Sequence, residues 1–311
     1  MKAKKKIAVL LTLIMVLSLF AACKSGQAEQ SSPTEGGSIF DFEDYESDEV
    51  FDIKKIDLSD SLAKLCVSYK FTYLSDGLKI KGYLSVPVSI LQTQRPGKCV
   101  MYNRGGNRDF GISEDDTTAK FCVVCNRIVI ASQYRGGGGS EGEDQFGGDD
   151  LHDVINLIDL CEKQFTFIDM DDFCVAGASR GGVMTYPAAR QDSRIKRIIA
   201  MGAITDLIAS YEDRDDMKTV LEETIGCTPQ ENPEEYKKRS AVYWADEIKI
   251  PVLMFHGKYD KKVSYEQAEE LYEKLRDVTD CTLITYDDDS HAMIHPEDYQ
   301  TVRDWLNQES E

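Results

Sequence analysis

Residues 173–186 read Phe-Cys-Val-Ala-Gly-Ala-Ser-Arg-Gly-Gly-Val-Met-Thr-Tyr. A short apolar run, Phe173 to Ala176, ends in Gly177-Ala178-Ser179-Arg180-Gly181 and passes directly into a segment of helical character. Asp169, Asp171 and Asp172 mark a turn ahead of it, so the run reads as a parallel strand buried on both faces. A serine on a tight strand-to-helix turn points its hydroxyl out of the sheet. Glycines must flank it there, because a Cβ would collide with neighbouring backbone. Gly182 lets the next helix lie close to the strand, and the start of that helix supplies unpaired backbone N–H groups. The stretch predicts a nucleophilic Ser179 on an elbow; the same residues in a plain glycine turn are the alternative.

Outward from the elbow, strands and helices alternate. Strands are expected at Lys98 to Asn103, Ile128 to Tyr134, Ile195 to Met201, Pro251 to His256 and Cys281 to Tyr286. Helical periodicity falls at Asp115 to Cys125, Leu151 to Cys161, Ser264 to Asp277 and Pro296 to Asn307. Val67 to Leu74 and Leu78 to Val86 alternate around Ser75-Asp76-Gly77, a hairpin signal carried by the Asp-Gly pair. The predicted fold is α/β, a mostly parallel, doubly wound sheet with antiparallel N-terminal strands, over residues 61–311. Asp206 to Asp246 is charged and helical, with breaks at Gly226 and Pro233, and reads as a small insertion (206–246) over the sheet's edge.

With 311 residues the chain can hold one large domain plus appendages. Apolar residues at 42% exclude wholesale disorder. A formal charge of −19 argues against nucleic acid as a partner, since a polyanion needs a basic surface. The nine cysteines do not read as a disulfide framework: Cys99, Cys174 and Cys281 lie in strand-like runs and Cys161 in a helical one, where cysteine behaves as a small buried hydrophobe. Cys122 and Cys125 form a C-x-x-C within an apolar helical pattern, with no second pair and no paired histidine. Neither metal nor cofactor is expected.

The N-terminus has a basic head, Lys2 to Lys6, and an apolar run from Ile7 to Ala22, the shape of a secretion signal. It ends Leu19-Phe20-Ala21-Ala22-Cys23, which resembles a bacterial lipobox. That resemblance implies a signal peptide over 1–22, an acylated Cys23 and attachment to the extracytoplasmic face of a bacterial membrane; an ordinary cleaved signal with an incidental Cys23 is the alternative. Residues 23–60 are expected to be a flexible, acidic linker. Lys24 to Ser38 is rich in Ser, Gly, Gln and Glu, and Phe40 to Asp60 reads as a solvated linker or a loosely packed first element.

A serine hydroxyl needs a base within about 2.6–3.2 Å. The four histidines are His152, His256, His291 and His295. His152 lies in a helix and His256 ends an apolar strand, both structural settings. His291 follows the last strand, where catalytic groups gather in parallel sheets, and is preferred to His295. Asp260, in the loop after the Pro251 to His256 strand, suits the acid that orients the base. The order Ser179, Asp260, His291 is that of the α/β-hydrolases. Oxyanion donors are expected from the N–H of Arg180 and from the loop Arg104-Gly105-Gly106-Asn107.

Tyr134-Arg135-Gly136-Gly137-Gly138-Gly139-Ser140-Glu141-Gly142, the elbow Gly177 to Gly182, the run Pro251 to Asp260 and Ser290-His291 together make residues 66–308 resemble the catalytic domain of the prolyl oligopeptidase family. The resemblance implies an α/β-hydrolase fold and cleavage of short peptides through an acyl-enzyme. It makes Ser179 the nucleophile, His291 the base and acid, Asp260 its orienter, and Gly106 or Gly105 with Arg180 the oxyanion donors. Peptidases of the family usually carry an N-terminal β-propeller. Only about forty residues separate Cys23 from the hydrolase domain here, so no propeller is expected, and a carboxylic ester substrate stays open beside a peptide. A lipid-anchored binding protein without catalysis is the third reading. Glu141, Glu143 and Asp144 offer carboxylates for a substrate ammonium, or a merely solvated acidic loop.

Overall fold

The computed structural model describes residues 40–308; the signal peptide expected over 1–22, the expected lipidation site Cys23 and the stretch up to residue 39 expected as a tether lie outside the described residues. Within them nine strands form one sheet in the order β1-β2-β3-β5-β4-β6-β7-β8-β9. They are β1 (Val50–Lys55), β2 (Cys66–Ser75), β3 (Leu78–Pro87), β4 (Gly97–Asn103), β5 (Ile128–Ser132), β6 (Ile168–Ala178), β7 (Ile195–Met201), β8 (Val252–Gly257) and β9 (Cys281–Tyr286). The first three pair antiparallel, β3 meets β5 antiparallel, and β5 through β9 run parallel. The β2–β3 turn places Asp76 at φ 51 and Gly77 at φ 79, the double left-handed conformation of a two-residue hairpin. The main helices are α1 (Thr117–Cys125), α2 (His152–Lys163), α3 (Gly181–Gln191), α4 (Leu207–Asp213), α5 (Asp215–Ile225), α6 (Pro233–Lys237), α7 (Tyr265–Leu275) and α8 (Tyr299–Leu306).

Period-two alternation sorts each central strand between two cores. Cys99, Met101, Phe173, Val175, Ile198 and Met254 face α2, α3 and α7. Val100, Cys174, Ala176, Ile199 and Phe255 face α1 and α8. Both faces are covered, so the central strands carry unbroken apolar runs. Cys122 and Cys125 are buried in α1, and burial pushes the Cys125 thiol up to about 12.

Two expectations are corrected. The linker expected over residues 23–60 is not solvated in its second half, and regular structure begins with a 3-10 turn at Phe42–Tyr45 followed by β1 rather than near Cys66. Phe42 is 1% exposed, its ring 5.2–5.5 Å from those of Tyr69, Phe71 and Phe165. Acidic residues disguise this segment because they alternate with aromatics that have a pocket to fill. The insertion over 206–246 is also not at the sheet's edge. It folds as α4, α5 and α6, and its Leu207, Tyr211, Leu221 and Tyr236 pack on Phe146, Val183, Ile204 and Val263, beside the elbow.

Removing the Phe42 ring leaves a cavity among five aromatic neighbours, Tyr45, Tyr69, Phe71, Phe165 and Phe167. Phe42→Ala is therefore expected to cost about 3–5 kcal/mol of unfolding free energy. Urea denaturation of the purified protein checks this, and a change below about 1 kcal/mol would mean that the segment is only loosely docked.

Candidate active site

The site begins with a register. β4 and β6 pair in parallel so that Asn103 lies opposite Gly177, and both strands end at the same edge. The chain leaving β6 turns at Ser179, whose φ of 55 lies in the left-handed region that a side chain enters at a cost. Hydrogen bonds hold the turn: Ser179 N–H donates to Met201 O at 3.0 Å, while Gly182 and Ile204 donate to Ser179 O at 3.0 and 2.9 Å. Gly181 closes it. A Cβ at that position would lie 2.1 Å from Asn103 O. The loop after β4 therefore packs directly on the elbow, and Gly105 comes so near that its Cβ would stand 3.6 Å from Ser179 Oγ.

Asp260 follows β8 and His291 follows β9. His291 Nδ1 and Asp260 Oδ2 are 2.7 Å apart. The other carboxylate oxygen accepts from Lys262 N–H at 2.7 Å and Val263 N–H at 3.3 Å. Burial by itself would raise the Asp260 pKa; the bonds from His291 and the two backbone amides outweigh it and hold the group below its ordinary value. With Nδ1 committed to the carboxylate, Nε2 is the ring nitrogen left for a substrate or a nucleophile.

Ser179 and His291 line one cavity of about 400 Å³. Phe146, Ile204, Leu207, Met217, Val220, Leu221 and Val263 make most of its wall, with Phe110 at the mouth. Five of these, Ile204 to Leu221, come from the end of β7 or the insertion. Gly106 and Arg180 also line it, and neither backbone N–H is engaged by another group among the described residues. Gly106 sits at φ 70, where a Cβ would lie 2.0 Å from Phe110 O, so only glycine fits.

The other histidines stand elsewhere. His152 pairs with Asp76 at 2.8 Å. His256 is buried with Nε2 2.9 Å from Val263 O, and burial lowers its pKa. His295 bonds Ser290 Oγ at 2.7 Å and stacks on Tyr286 at 3.7 Å. Cys23 lies outside the described residues. The carboxylates considered for a substrate ammonium are in part already engaged: Glu141 accepts from Lys79 N–H at 2.9 Å, and Asp144 is buried against Arg180 at 2.6 Å.

Sequence reading missed the charges beneath this site. The Arg180 side chain is 1% exposed, paired to Asp144 and Asp150 and lying over the rings of Tyr134 and Phe146 at 5.4 and 4.8 Å. Arg104 is 2% exposed. Arg135 grips Asp153 and so ties the glycine-rich loop to α2. These partners lie 18–36 residues apart, a separation that leaves no local pattern.

Comparison with known proteins adds to the geometry. Residues 115–311 match the prolyl oligopeptidase family. YtmA of Bacillus subtilis, described as an uncharacterised peptidase, is 33% identical over 211 residues, covering 67% of this chain and 79% of its own. Among solved structures, the acylaminoacyl peptidase of Pyrococcus horikoshii aligns with a TM-score of 0.62 at 20% identity; the match covers 80% of this chain but spans only 42% of that one. Acetyl xylan esterase 1 of a Thermoanaerobacterium aligns with a TM-score of 0.58 at 17% identity, covering 86% of this chain and 94% of its own. These two likenesses share an α/β-hydrolase fold.

The lowered Asp260 pKa fixes a sign. The unfolded chain holds this proton near pH ~3.9 and the folded one only below that. Its contribution to stability is complete above ~3.9 and fades as pH falls through the lower folded value. Acid titration by circular dichroism should show a shallower loss of stability in Asp260→Asn than in the parent over that window. Superimposable acid limbs would show that the carboxylate is not held ionised.

Proposed function

The chain belongs to the prolyl oligopeptidase family of serine hydrolases, and on that premise we propose that it cleaves short peptides through an acyl-enzyme formed on Ser179. The single observation that supports this most is the convergence on one cavity of a strained Ser179, a His291 oriented by a buried carboxylate, and two unengaged backbone N–H groups.

In this reading Ser179 Oγ attacks the scissile carbonyl while His291 Nε2 takes its proton. The tetrahedral oxyanion is received by the N–H of Arg180 and that of Gly106, with Gly105 packed beside the serine. His291 returns the proton to the leaving amine, and water then repeats the sequence on the acyl-enzyme. Asp260 stays ionised throughout and stabilises the imidazolium. The apolar cavity suits one apolar side chain or acyl group next to the carbonyl. It holds an ester's acyl group as readily, which keeps a carboxylic ester as the second substrate class.

We further read residues 1–22 as a signal peptide and Cys23 as the acylated first residue of the mature protein, anchored outside the cytoplasm. The sequence features alone support this: a basic head, an apolar run and small residues before Cys23. Among the described residues no helix is long and apolar enough to cross a membrane.

Two measurements test these readings. Turnover of paired aminoacyl anilides and short-chain aryl esters is expected on the anilides, with Ser179→Ala lowering it by more than ~10³-fold. Ester turnover alone would move the protein to the esterases, and equal rates in the mutant would remove catalysis by Ser179. Expressed in a bacterium, the parent is expected to partition into detergent and Cys23→Ala into the aqueous phase; identical partitioning would dispose of the anchor.

A further inference from the structure

The loop after β4 is gripped from behind by two buried cations. Arg104 sends all its hydrogen bonds to backbone carbonyls: Nη1 to Gly105 O at 3.0 Å and Gly111 O at 3.5 Å, Nη2 to Arg108 O at 3.2 Å, and Nε and Nη2 to Gln133 O at 3.1 and 3.0 Å. It makes no ion pair among the described residues. Arg180 Nη1 donates to Gly106 O at 3.1 Å while Asp144 and Asp150 neutralise it. Asp144 in turn accepts from Arg108 N–H at 2.7 Å.

A buried guanidinium without a carboxylate is costly, and burial beside Arg180 lowers the Arg104 pKa to about 10. Stability alone is better served by an apolar residue of similar volume. What the cation does can be read from the peptide unit. In a trans peptide the C=O and N–H point in opposite directions, and the described residues include no cis bond. Arg104 holds the carbonyl of the Gly105–Gly106 peptide, so the Gly106 N–H points away from Arg104. Arg180 holds the carbonyl of the Gly106–Asn107 peptide and so fixes the other side of Gly106. Gly106 and Asn107 line the Ser179 cavity. A cation on the carbonyl also polarises the amide and strengthens its N–H as a donor.

We propose that Arg104 and Arg180 are positioning residues for transition-state stabilisation: Arg104 fixes and polarises the Gly105–Gly106 peptide, whose N–H faces the oxyanion, and Arg180 anchors the next peptide of the same loop so that Gly106 is held from both sides. The inference rests on the Ser179 reading above. It adds that the side chain of Arg180 serves the same oxyanion as its own backbone N–H, and that Arg104 serves it without touching substrate.

The test compares the parent, Arg104→Met, Arg104→Lys, Arg180→Lys and Ser179→Ala on 4-nitrophenyl butyrate and its thiono counterpart, in which C=S replaces C=O. Sulfur accepts hydrogen bonds poorly, so the ratio of kcat/KM for the two esters contains the oxyanion contribution. Both rates come from one preparation, so the ratio is unaffected by any fraction that fails to fold. Losing a whole donor lowers kcat by about 10²–10³-fold; misaiming one is expected to lower it by ~10–100-fold in Arg104→Met, with KM within about twofold and the oxo-to-thiono ratio falling by a similar factor. Both lysine variants should fall between this and the parent. If Arg104→Met yields no folded protein, the lysine variants carry the same comparison. A lower kcat with an unchanged ratio, or an unchanged kcat, overturns the inference. A parent indistinguishable from Ser179→Ala on both esters and on the aminoacyl anilides overturns the Ser179 reading instead; where only the anilides turn over, the same ratio is taken between an anilide and its thioanilide.

Discussion

The contact between Gly181 and the carbonyl of Asn103 governs the architecture of the site. No side chain fits there, since a Cβ would come within 2.1 Å of the oxygen. Because β4 and β6 are adjacent and parallel, with Asn103 opposite Gly177, the two chains leave the sheet side by side. One becomes the elbow and the other the loop that touches it. The β3-β5-β4-β6 order opens this space: the chain goes from β4 to β5 on one side and from β5 to β6 on the other, leaving a crevice at the carboxyl ends.

The site is held from below by charge rather than by apolar packing. Arg104, Arg180, Asp144, Asp150, Arg135 and Asp153 are all buried or nearly so, and together they connect the loop after β4, the glycine-rich loop after β5, the elbow and α2. Such a network is a poor source of net stability, because desolvation cancels much of the attraction. It is a good source of geometry, since every member lost leaves a buried partner unsatisfied. An apolar core tolerates small shifts; a guanidinium divided among four carbonyls does not.

The insertion and the N-terminal segment show how chain order differs from spatial role. The insertion sits in sequence between β7 and β8, yet Leu207, Met217, Val220 and Leu221 furnish much of the cavity wall beside Ser179. Arg108 and Glu223, 2.7 Å apart, link it across the surface to the loop after β4. The N-terminal segment does the reverse: it is far from the chemistry and completes the sheet with β1, sealing an aromatic cluster under Phe42.

Local pattern determined much of this protein. The Gly-x-Ser-x-Gly elbow, the Asp76-Gly77 hairpin and the apolar runs of β4 to β8 were legible because each depends on residues within a few positions of one another. The same holds for the placement of Asp260 and His291 just beyond their strands, and for a glycine at 106. Tertiary structure alone decided what depends on distant partners. Phe42 is core because Phe71 and Phe165 surround it, Asp144 is a counterion because Arg180 lies beneath the elbow, and Arg104 is buried because four carbonyls of separate turns close on it. A charged residue reads as surface in a sequence, since water is its cheapest solvent. Only the fold can supply a substitute solvent of carbonyls and carboxylates, and it assembles that from positions with no common period in the chain.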